Sequence, residues 1–141
     1  MELWILYSLL SAIFAALVAI FGKIGLQDID STLATTIRSV VMALFLLFVA
    51  LALGKFNLIG TIKNKTLFFI ILSGVSGALS WLFYFFALKI GIVSGVAAID
   101  RLSVVFVVIF ALLFLGEKFN FYTASGTLLI TIGAILMVIK K

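Results

Sequence analysis

The chain has no cysteine, no histidine and no proline among its 141 residues. Without thiols it forms no disulfide and offers a metal no thiolate. Without histidine it lacks the commonest general base and metal ligand near neutral pH. Without proline no helix can be broken by that residue's missing N–H. Charge is scarce as well, at 11% of residues, against about 25% in soluble domains. The five acidic residues lie apart, with no spacing suited to a metal. No Walker loop, H-E-x-x-H or G-x-S-x-G pattern occurs. An enzyme, a cofactor and a metal site are therefore not expected.

What is present is apolar. Hydrophobic residues make up 66% of the chain, and the mean hydropathy is +1.46. The charges gather at the ends of long runs that carry no polar face, whereas a soluble helix of such length needs one. This describes an all-α integral membrane protein of one domain, residues 1–141, with no room for a separate soluble catalytic domain. The net charge of +5 reads as anchoring to anionic lipid head groups. No basic stripe could track a phosphate backbone, so nucleic acid is not an expected partner. Glu2, with no Lys or Arg beside it, precedes the first run, which is expected to be a retained helix rather than a signal peptide.

Five runs, residues 3–21, 33–53, 67–88, 94–115 and 121–139, approach or exceed the roughly 20 residues that span a bilayer. They predict a bundle of five transmembrane helices. Gly22-Lys23 and Gln27-Asp28-Ile29-Asp30 end the first, and Asp30 or Ser31 can cap the second. Gly54-Lys55-Phe56-Asn57 ends the second, Lys89-Ile90-Gly91 the third and Gly116-Glu117-Lys118 the fourth. Loops this short make successive helices antiparallel neighbours. Ser8, Ser11, Ala15, Ala19 and Gly22 lie at helical spacing, as do Thr123, Gly126, Thr127, Thr131, Gly133 and Ala134. Such stripes read first as seams of close helix packing. On the third helix Ser80, Trp81 and Tyr84 join a wide apolar surface to polar handles. They line a pocket or serve as packing aromatics; both readings fit.

Asp100 and Arg101 stand side by side in the fourth run. Each charge at a membrane helix centre costs about 2.5–3.5 kcal/mol on insertion scales and usually faces a cavity or a partner. Asp100 is six residues in from Ser94, about 9 Å along the axis. Adjacent helical residues point about 100° apart, so the two cannot both face one narrow cavity. Asp100 is the cavity candidate, with Trp81, Tyr84 and Ser80. Arg101 suits a substrate carboxylate or phosphate. The competing reading makes them members of buried ion pairs, such as Asp100 with Arg38. Arg38, inside the second run, can also snorkel toward the side of Lys23.

The basic residues outside the runs are balanced. Lys55, Lys63, Lys65 and Lys118 fall on one side, and Lys23, Lys89, Lys140 and Lys141 on the other, four against four. The positive-inside bias is close to nil. Either the chain inserts one way on a weak signal, or copies insert both ways and pair as an antiparallel homodimer.

The order of motifs in the last 70 residues or so resembles an EamA domain of the drug/metabolite transporter superfamily. The third helix matches through Gly74, Gly77, Trp81, Tyr84, Leu88, Lys89 and Gly91. The small-residue opening of the fourth matches through Gly95 to Ser103. The close of the unit matches through Leu115-Gly116-Glu117, then Gly126 and Gly133. The resemblance covers essentially the whole chain as one five-helix repeat. It implies a multi-pass transporter of small organic metabolites or drug-like compounds in the cell membrane. Relatives usually carry two inverted repeats and this chain carries one, so the resemblance implies an inverted homodimer working by alternating access. The family often has a proline before the Ile-Asp of the fourth helix. Ala98 stands there instead, leaving Gly91 and Gly95 as the flexible points. Gly77, Gly91, Gly95, Glu117 and Arg38 are the expected packing or gating residues. Two rival functions are movement of a lipid-linked substrate between leaflets and service as a non-transporting subunit of a larger assembly.

Overall fold

The computed structural model describes residues 2–118 and 120–139. Lys140 and Lys141, which enter the charge balance above, lie outside the described residues, as do Met1 and Phe119. The described residues contain no strand. Among the described residues six α-helices follow one another: α1 (Leu3–Gly25), α2 (Ser31–Ala52), α3 (Asn64–Ile90), α4 (Val93–Asp100), α5 (Ser103–Phe110) and α6 (Phe121–Leu136). A 3-10 helix (Lys55–Thr61) follows α2, and a π-helical turn (Ala111–Leu115) follows α5. The contacts divide the chain into two compact units, residues 1–21 with 90–141 and residues 22–89.

Among the described residues four stretches are long and apolar enough to cross a membrane: Leu3–Gly25, Ser31–Ala52, Asn64–Ile90 and Val93–Leu115. The fifth run, expected over 121–139, is α-helical for 16 residues. At 1.5 Å per residue that is about 24 Å, short of the roughly 30 Å hydrocarbon core. Large apolar side chains face outward along these helices, Phe45 at 65% and Phe48 at 68% exposure among them. Such surface suits lipid and would associate in water.

The helix ends follow local chemistry. The Asp30 carboxylate accepts from the backbone N–H groups of Thr32 and Leu33 at 2.9 and 3.0 Å. It thereby satisfies donors that the first turn of α2 leaves open. Those bonds, that from Leu33 foremost, hold its pKa below the ordinary carboxylate value. Gly54 ends α2 in the left-handed region at φ 62°, where a Cβ would be strained. Asn120 accepts from Thr123 N–H at 2.8 Å and starts α6.

Two expectations about helix continuity are corrected. The first helix runs on past Gly22 and Lys23 to Gly25 and ends just before the Gln27–Asp30 stretch also expected to close it. Gly22 is a contact point, in keeping with its place in the small-residue stripe: a Cβ there would lie 3.2 Å from both Leu88 Cδ2 and Phe85 Cζ. The fourth run is not one uninterrupted helix. Between α4 and α5 the backbone tightens to i→i−3 bonding. Leu102 N–H donates to Ile99 at 2.9 Å, Val104 to Arg101 at 3.1 Å and Val105 to Leu102 at 2.9 Å. Arg101 N–H is shared between the Ala97 and Ala98 carbonyls at 3.3 and 3.2 Å. A 3-10 pinch therefore interrupts the α-helix without proline or glycine.

Candidate functional site

In the unit of residues 22–89, α2 turns a polar stripe inward. Ser31 and Thr35 are buried and Arg38 is half-buried. They sit one turn apart, at i, i+4 and i+7. The Thr35 hydroxyl donates to the Ser31 carbonyl at 2.7 Å, which lets it lie in an apolar setting. Facing this stripe, α3 presents Trp81, Tyr84, Phe85 and Leu88. The spacing i, i+3, i+4, i+7 places all four on one side.

Arg38 and Trp81 meet here. The guanidinium carbon lies 3.7 Å from the Trp81 ring centroid and 5.6 Å from that of Phe85. Trp81 and Tyr84 are packed edge to face, with centroids 5.5 Å apart and planes at 75°. Trp81 and Phe85 are 6.2 Å apart at 68°. A cation over an aromatic face is attracted by the ring quadrupole, so Arg38 gains a partner that sequence spacing could not reveal. Ser80, one position from Trp81, is exposed, and Gly77, one turn earlier, is half-buried with open space at its Cβ position.

Lys23 and Lys89 cap each other's helices. Lys23, in the last turn of α1, donates to the Leu88 and Lys89 carbonyls of α3 at 2.7 and 3.3 Å. Lys89, in the last turn of α3, donates to the Leu26 carbonyl and to those of Gln27 and Ile29 at 3.1 and 3.0 Å. A cation near a helix C-terminus satisfies open carbonyls and complements the helix dipole. The exchange fixes the end of α1 to the end of α3 around a small cavity of about 90 Å³ lined by Lys23, Leu26, Gln27 and Lys89. The signal was present in the sequence as a lysine closing each of two helices, but not its reciprocity.

In the other unit, Asp100 closes α4 and is half-buried, and Arg101 in the pinch is exposed. The two candidates thus part company, as their helical offset predicts. Asp100 and the Arg38–Trp81 pair fall in different units. Gly95 is buried, and a Cβ there would sit 3.0 Å from Ile92 Cγ1 and 3.8 Å from Val138 Cγ2. It serves close packing where α6 lies against α4. Gly91 is half-buried at the bend after α3. Gly116 adopts φ 66°, and Glu117 N–H then reaches back to the Ala111 carbonyl at 3.2 Å. The exposed Glu117 thus contributes to this helix end through its backbone.

The sequence model of the EamA-like transporter family matches residues 2–139. The chain belongs to the EamA-like transporter family. It is 43% identical over 136 residues to a protein of Sinorhizobium sp. described as "Uncharacterized transporter in cobO 3'region", and the match covers 96% of each chain. No solved structure matches it. With four apolar spans among its described residues, the EamA-like chain is a multi-pass membrane protein of a transporter family.

Proposed function

We propose that this EamA-like protein carries small organic metabolites or drug-like compounds across the cell membrane as an inverted homodimer working by alternating access. The observation that carries this reading is the family match over residues 2–139. The fifth apolar run crosses the bilayer with the other four, using the turn after α6 to extend its reach. One such unit supplies half of a two-repeat transporter, and a second copy inserted the other way supplies the rest. The even division of lysines supports insertion in both directions. Membrane lipid surrounds the assembly.

Within each copy, Arg38, Trp81 and Tyr84 form one candidate substrate surface, with Ser80 and Gly77 flanking it. Asp100 is a second candidate, a carboxylate able to bind a cation or carry a proton. Its half-buried position supports it over the exposed Arg101. The 3-10 pinch beside it supplies a place for α5 to move relative to α4, a role expected at Gly91 and Gly95.

Purified protein reconstituted into liposomes, assayed with a panel of labelled amino acids and organic acids, tests the reading. At least one solute should move saturably and faster than in protein-free vesicles. If none does, while co-purification from native membranes yields a fixed larger partner, the chain is a non-transporting subunit instead. If only a lipid-linked substrate crosses between leaflets, it is a flippase.

A further inference from the structure

The Arg38 guanidinium lies over the Trp81 ring and forms no ion pair among the described residues. Within residues 22–89 the only carboxylates are Asp28 and Asp30, and Asp30 is occupied with the N-terminus of α2. Neither forms an ion pair with Arg38 among the described residues. Its N–H donors meet no acceptor in this unit. The contact with the Trp81 ring, 3.7 Å from the guanidinium carbon to the centroid, uses none of the five N–H donors of the guanidinium as a hydrogen bond to an oxygen. The group sits seven residues beyond Ser31, about 10 Å along α2, inside a stretch long and apolar enough to cross a membrane. Hydrocarbon satisfies no donor there. A half-buried cation with an open fork, braced from behind by an indole, is arranged for an oxyanion.

We propose that Arg38 is an anion subsite: its guanidinium edge receives the carboxylate or phosphate of a small organic solute, and the Trp81–Tyr84–Phe85 cluster bounds the solute's apolar part. The inference rests on the transporter reading and names a substrate class for it. Trp81 holds the guanidinium in place by contact with its ring, so the cation is positioned before the anion arrives. An arginine so braced binds two oxygens of one group at once, which a lysine ammonium does not do.

Trp81 also provides the test. The chain has two tryptophans, so Trp4→Phe leaves Trp81 as the sole indole reporter. This protein, folded and monodisperse in maltoside, is titrated with benzoate, with benzamide as the neutral isostere, and with inorganic phosphate, while Trp81 emission is followed. Benzoate should change the emission saturably, with a Kd about tenfold or more below that of benzamide. Phosphate should compete with it. Arg38→Gln should erase the preference for the acid over the amide, and Arg38→Lys should keep only part of it.

Equal response to benzoate and benzamide in the folded protein overturns the proposal without any variant at Arg38. A preference that survives Arg38→Gln overturns it as well. A response to phosphatidylglycerol added to the micelles that benzoate cannot displace makes the occupant a lipid head group and overturns the solute site. The two readings fail separately. Vesicle flux with no preference for the acid removes the anion subsite alone, and acid binding without flux removes the transporter reading.

Discussion

At the scale of single residues, the strongest constraint is a charge that must live among apolar neighbours. Arg38 meets it by lying on the Trp81 ring at 3.7 Å, a contact of about 1 kcal/mol at a partly buried site. A double-mutant cycle of Arg38→Leu and Trp81→Leu, read by unfolding in detergent, should return a coupling near that size. Zero coupling would mean the stacking holds nothing together. Asp30 makes a pH prediction. Its folded pKa is depressed, chiefly by the Leu33 N–H. Its contribution is therefore fully present above the ordinary carboxylate value of about 4 and is lost as pH falls through the lower folded value. Asp30→Asn, which keeps an acceptor for the cap, should flatten the fall in unfolding temperature across that window. Trp81 and Tyr84 were legible because they sit together on one helix. Their partner was not, because Arg38 comes from another helix and periodicity says nothing of which faces meet.

The helices themselves were largely legible, since long apolar runs and capping residues are local signals. Asp30 or Ser31 was expected as the cap of α2, and Asp30 is the one. The interior of the fourth run was not legible. A run of Val, Ile, Leu and Phe residues carries no mark of where α-bonding gives way to a 3-10 pinch and then to a π-helical turn. No proline is there to break the run, and flexibility was expected at Gly91 and Gly95, yet the backbone tightens at Arg101 and Leu102. Gly22 carried two readings, a helix end and a member of a packing stripe, and the second holds: it is where α1 approaches α3, with Leu88 and Phe85 atoms 3.2 Å from any Cβ built there. Gly22→Val should overpack that approach and cost about 1–3 kcal/mol, measurable as a lowered unfolding temperature in detergent. An unchanged temperature would show that α3 yields freely at this point.

At the scale of the whole molecule, composition alone announced the membrane, and motif order announced the family that the match over 2–139 establishes. How copies are inserted depends on a balance of a few lysines spread over the loops. The absence of cysteine makes the test direct, because any introduced thiol is the only one. Lys63→Cys protein in intact cells should be labelled by a membrane-impermeant maleimide in about half of its copies if insertion is dual. Labelling of all or none would remove the inverted dimer. The lysine exchange between α1 and α3 has a further consequence, for biosynthesis. The carbonyls that Lys23 serves lie 65 and 66 positions further along the chain. At translation rates of about 5–20 residues per second, the end of α1 waits roughly 3–13 s for its partner. During that interval the nascent first hairpin lacks both caps, and the arrival of Lys89 closes both ends together.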